Sequence, residues 1–79
     1  MIKNIYMKLK IKEIRKRKKL TLNELSKLSG LSKSSINYYE REEIYPNILE
    51  LEWLAIALDV AIIDLFDSKY KFPRYWNKQ

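Results

Sequence analysis

Lys33, Ser34, Asn37 and Tyr38 place an ammonium, a hydroxyl, a carboxamide and a phenol at helical spacing within the stretch GLSKSSINYYER. Such groups donate and accept hydrogen bonds. The chain offers them no catalytic company. It has no histidine, which removes the usual general base and the commonest metal ligand. It has no cysteine, and so no disulfide or thiolate metal site. With a single glycine and no evident carboxylate pair in a pocket, no enzyme, metal site or cofactor is expected. The chemistry on offer is recognition. A merely solvated helix face could carry the same four residues, so the surrounding pattern has to decide.

Charge is the first part of that pattern. The net charge of +6 is unevenly placed. Residues 1–19 hold nine Lys/Arg against one Glu, whereas residues 40–67 hold one Arg against eight acids. One end is therefore basic and the other acidic, which suits orientation on a polyanion. The 79 residues suffice for one small domain with its own core, and a 47% apolar content argues against disorder. No apolar run approaches the roughly 18 residues that span a bilayer. The N-terminus lacks a signal-type apolar segment. A cytoplasmic domain without a membrane contact or a separate effector domain is expected.

The elements that must hold the four residues follow from spacing and caps. Leu9, Ile11 and Ile14, followed by Leu20 and Leu22, give an amphipathic helix over residues 8–19 with a Lys/Arg-rich polar face. Thr21 and Glu24 form a capping box that starts a second helix at Leu22, with Leu25 and Leu28 inward. Gly30 allows a tight left-handed turn. Ser32 caps a third helix whose inner side is Ile36 and Tyr39. Asn47 and Glu50 cap a fourth helix, from Ile48 to about Leu58, with Ile48, Leu51, Leu54, Ala55 and Leu58 facing the core. Residues 61–66 read as a short fifth helix. No segment alternates over a strand-length window, so the expected core is all-α.

The spacing over residues 22–41 is more demanding than two helices joined by glycine. Ser26 supplies the small residue where the helices approach, Gly30 follows four positions later, and Leu25, Leu31, Ile36 and Tyr39 seal the corner. Together with IKEIRKRKKLT, ELSKLSGLSKSSI, the YER ending the third helix, Pro46 and the closing LEWLAIALDVAIIDLF, the sequence resembles the phage repressor and Cro-type (XRE) helix-turn-helix family. The resemblance covers residues 9–67 and implies a five-helix, lambda-repressor-like DNA-binding fold. It leaves residues 1–8 as an N-terminal arm and residues 68–79 as a basic aromatic tail. It also implies a sequence-specific transcriptional regulator, a repressor, working as a homodimer on a palindromic operator in double-stranded DNA.

By that resemblance residues 32–41 form the recognition helix. The major groove presents donors, acceptors and thymine methyls that short polar side chains can read. Asn37 suits adenine, Lys33 guanine, Ser34 a base or phosphate, and Tyr38 a thymine methyl or phosphate. Lys18, Lys19, Thr21, Asn23, Ser32 and Arg41 are the candidate phosphate contacts. Two departures from the family pattern matter. Leu22 stands where a glutamine often braces the recognition helix. Glu42 and Glu43 stand where a glycine and basic or small residues often follow the third helix. Glutamate in a left-handed cap is mildly costly. Acids beside DNA are repelled, so that loop either swings clear of the phosphates or lowers affinity.

The fourth helix carries one more signal. Leu49, Trp53 and Ile56 recur at i, i+4 and i+7 off its core face, and Ile63 adds to them. Several such residues in one region imply a cover. A second copy of the chain is one candidate. The tail, with Tyr70, Phe72, Tyr75 and Trp76, is another. The rival reading of the whole chain, a protein-interaction module of the same fold in the manner of antitoxin or anti-repressor partners, uses this stripe.

Overall fold

The computed structural model describes residues 7–68. The chain begins with a short strand β1 (Met7–Leu9), continues through α1 (Ile11–Arg17), α2 (Leu22–Ser29), α3 (Lys33–Glu40) and α4 (Ile48–Leu58), and closes with a 3-10 turn at Ile62–Leu65 and a strand β2 (Phe66–Ser68). The expected fifth helix is this single 3-10 turn, and among the described residues the architecture is four α-helices with one strand pair. The turn is too short to continue as a helix because Phe66 is already extended and pairs with Leu9 across an antiparallel two-stranded sheet. The Lys10 N–H adds a bond to the Leu65 carbonyl at 2.8 Å, which fastens the start of α1 to the end of the domain. Three-residue strands are below the length at which alternation shows. The aromatic residues of the tail, and the first six residues of the arm, lie outside the described residues.

Both expected capping boxes form. The Thr21 hydroxyl accepts from the Glu24 N–H at 3.0 Å and Glu24 returns to the Thr21 N–H at 2.8 Å. Hydrogen bonds donated by Thr21, from its backbone N–H first and its hydroxyl second, hold the Glu24 carboxyl below the usual carboxylate range. Asn47 and Glu50 repeat the arrangement at α4. At the other ends the helices stop in a recurrent way. Lys19, Glu42 and Asp59 all adopt positive φ, near 60°. Each is followed by an N–H that reaches five residues back, Leu20 to Arg15, Glu43 to Tyr38 and Val60 to Ala55, which is the Schellman closure. Only α2 ends on a glycine.

The core is built from Ile11, Ile14, Leu25, Leu31, Ile36, Tyr39, Leu54, Ala55, Leu58 and Leu65. α2 packs against both α3 and α4, and α4 carries the 3-10 turn. Two residues expected inside are outside. Leu28 is 59% exposed because the inner side of α2 is taken by Leu22, Leu25, Ser26 and Ser29, about a third of a turn away. Ile48 is 77% exposed, since the first residue of α4 points back past the edge of the core. Leu51, by contrast, packs against the core as expected.

Candidate nucleic-acid interface

The α2–α3 corner is held by small residues. The Ser26 hydroxyl donates to the Leu31 carbonyl at 2.6 Å, and the Ser29 hydroxyl accepts from the Leu31 N–H at 3.2 Å. Gly30 sits at φ +79, and a Cβ built there meets nothing within 4 Å. The glycine is thus favoured by the backbone angle and not by a lack of space. Ser32 caps α3, accepting from the Ser35 N–H at 3.0 Å and donating its hydroxyl proton to the Ser35 hydroxyl at 2.9 Å.

Ile36 and Tyr39 bury the inner side of α3. Burial, followed by a hydrogen bond to the Glu50 carboxylate, pushes the Tyr39 phenol above its ordinary value. The phenol thus lies toward Glu50, the residue that completes the α4 capping box. A tie runs from α3 to α1. The Arg15 guanidinium grips the Glu40 carboxylate through Nε at 2.6 Å and Nη2 at 3.1 Å, while Nη1 donates to the Leu20 carbonyl at 2.8 Å. Both side chains are out of solvent, at 10% and 3% exposure. Arg15 reads in the sequence as one more member of a basic run, and Glu40 lies 25 positions away. Nothing in their local spacing announces the pair.

With its inner side fixed, α3 presents Lys33, Ser34, Asn37, Tyr38 and Arg41 within an arc of about 140°. Lys33, Ser34, Tyr38 and Arg41 are exposed, and Asn37 is half-buried. Among the described residues, the side chains of Lys33, Ser34 and Asn37 have no hydrogen-bond or ion-pair partner within the chain. Their donors and acceptors are free for a ligand. Lys18, Lys19, Thr21 and Asn23 are exposed along the α1–α2 turn and the first turn of α2. Thr21 is occupied by its capping box, with its N–H and its hydroxyl both engaged by Glu24. The Ser32 hydroxyl is engaged with Ser35, so the free backbone N–H groups of the first turn of α3 are the anion-binding groups there.

The two acids after α3 are also accounted for. Glu42 occupies the left-handed position with φ 57, and its carboxylate turns back to accept from the Leu9 N–H at 3.3 Å. Glu43 pairs with Arg41, whose guanidinium lies 5.4 Å from the centroid of the Tyr38 ring. Leu49, Trp53, Ile56 and Ile63 are between 43 and 70% exposed, so the second apolar stripe stands on the outside of the described domain. Ile44, Tyr45 and Ile48 are exposed as well, near the start of α4. Among the described residues no His/Cys/Asp/Glu group could hold a metal ion, and no helix is long and apolar enough to cross a membrane.

A capped α2, a left-handed glycine and an α3 clamped to α1 and packed on the core define a helix-turn-helix domain. The Helix-turn-helix family model matches residues 11–65, and the chain belongs to that family, in its phage repressor and Cro-type branch. Among curated proteins it is 36% identical over 63 residues to the HTH-type transcriptional regulator SinR of Bacillus subtilis, covering 78% of this chain and 57% of SinR. The chain thus spans little more than half of that relative. It is 33% identical over 60 residues to YopS, an uncharacterised SPbeta prophage-derived HTH-type transcriptional regulator of the same organism, covering 75% of this chain and 81% of YopS. The N-terminal DNA-binding domain of Bacillus subtilis SinR superposes with a TM-score of 0.69 at 36% identity, over 78% of this chain and 91% of that one. The restriction-modification controller protein C.AhdI from Aeromonas hydrophila gives 0.68 at 31% identity, over 70% and 83%.

Proposed function

We propose that this chain is a DNA-binding transcriptional regulator, a cytoplasmic repressor, which reads the major groove with α3 as a homodimer on a palindromic operator. The observation that carries the reading is the division of α3 into two sides. Its inner side is fixed by Ile36, Tyr39 and the Arg15–Glu40 pair, and its outer side offers unpaired hydrogen-bonding groups. Lys33, Ser34, Asn37 and Tyr38 contact base edges. Lys18, Lys19, Thr21, Asn23 and Arg41, with the α3 N-terminus at Ser32, hold phosphates. Attraction and discrimination are thereby separated. Cationic groups give salt-dependent affinity for any duplex, whereas Asn37 and its neighbours select sequence.

The separation is testable with two variants. Asn37→Ala should lose about 1–3 kcal/mol on the operator and little on random DNA, with relaxed choice at one base pair. Lys19→Ala should weaken both alike and reduce the salt slope by about one phosphate. Fluorescence anisotropy on both DNAs at several salt concentrations measures these effects. Equal losses on both DNAs for both variants would refute the division of labour.

The stripe of Leu49, Trp53, Ile56 and Ile63 supports self-association, with Trp53 as its anchor. Sedimentation should find a dimer of the intact chain and a monomer for Trp53→Ala. A monomer of the intact chain at high micromolar concentration contradicts the dimer. The same exposed stripe favours one second reading, a module that docks another protein. The structure of a SinR–SinI protein complex superposes at a TM-score of 0.70, 34% identical, over 87% of this chain and 69% of that one. Under that reading, binding through the stripe persists in Asn37→Ala and is lost in Trp53→Ala.

A further inference from the structure

We propose that Glu43 is a built-in competitor for DNA phosphate, holding the Arg41 guanidinium back from the backbone. The inference rests on the DNA-binding reading above. Arg41 closes α3 on its outward side, where it is the last cation of the proposed reading face. Its Nε lies 2.9 Å from one Glu43 oxygen and its Nη2 3.3 Å from the other. That two-pronged edge is the one with which arginine also matches a phosphate. Stacking on Tyr38 steadies the guanidinium in this position. The Schellman turn makes the arrangement a property of the backbone, because the Glu43 N–H is bonded to the Tyr38 carbonyl at 3.0 Å. Of the two acids after the helix only Glu43 acts there, since Glu42 is turned to the Leu9 N–H.

The pair is half-exposed, at 52 and 50%, so it is weak and exchangeable. Arg41 can leave Glu43 for a phosphate, and each duplex has to displace the same carboxylate. Such a cost falls on every backbone-mediated complex and limits retention on non-operator DNA.

The test is a double-mutant cycle in the full chain, with a duplex that the chain selects from a random pool and an unselected random duplex as probes. Glu43→Gln keeps the side-chain shape and the backbone bonds of the turn. We expect it to tighten binding to both DNAs by about two- to fivefold at low salt, the factor that an exposed ion pair represents. The salt slope should steepen by about 0.9, one further phosphate neutralised. In an Arg41→Ala background the same change should give no gain. An equal gain in both backgrounds overturns the proposal, because Glu43 then acts only as a repelling charge. No gain with Arg41 present also overturns it. Should the wild-type chain bind neither DNA, the DNA-binding reading fails and the competitor role fails with it. Wild-type binding with an uncoupled cycle removes the competitor role alone.

Discussion

Arg15→Met is expected to destabilise the domain by about 3–5 kcal/mol, the cost of breaking a buried ion pair from one side. The Glu40 side chain is 3% exposed and loses both of its guanidinium bonds. The Leu20 carbonyl loses its donor from Nη1 as well. Methionine replaces the length of the arginine stem, so the loss is electrostatic more than volumetric. Small domains are marginally stable, and a loss of this size removes much of the folded population. Adding Glu40→Met should recover most of it, because a buried pair exchanged for apolar side chains is often neutral or better. Urea unfolding followed by helical circular dichroism measures both steps. A single variant as stable as wild type, or a double variant no better than the single, would show that the pair does not hold α1 to α3. DNA binding should follow the same order, since the clamp fixes Leu20, next to Lys19, and the last residue of α3.

Ile36→Ala is expected to cost about 2–5 kcal/mol, the usual range for truncating a buried isoleucine. Ile36 is fully buried and sits directly under the face that carries Lys33 and Asn37. Its removal leaves a void between α3 and the rest of the core. The packing that orients the outer side chains then loosens. Ile36→Val, losing one methylene, should cost only about 0.5–1.5 kcal/mol and keep sequence preference intact. Thermal unfolding gives the stabilities, and operator binding below each midpoint gives the functional consequence. An Ile36→Ala chain with wild-type stability would mean that α3 is not anchored through this residue.

The residues that punctuate this chain were legible where their chemistry is local. Thr21 with Glu24, Asn47 with Glu50, Ser32 and Gly30 announce their caps and turn within three or four positions, and each forms the bond its spacing requires. Other helix ends were harder to read. Lys19 and Asp59 take left-handed positions that glycine usually marks, so no residue type flags them. The strand pair joins residues nearly sixty positions apart in segments of three, and the 3-10 turn before it shares the apolar spacing of an α-helix. Leu28 and Ile48 show the limit of periodicity in short helices. A single stripe does not say which of two neighbouring positions the next element will cover. The candidate reading face was legible because it is one helix with one composition. The Arg15–Glu40 clamp behind it was not, because it is a tertiary contact between two residues that each look like surface charge.

If α3 chooses a DNA sequence, the intact chain should select duplexes from a random pool. The expected result is enrichment of a palindrome whose half-sites lie about one helical turn apart, with Asn37→Ala relaxing one position in each half. A pool that stays random after repeated rounds at low salt, while the chain is folded, would contradict it.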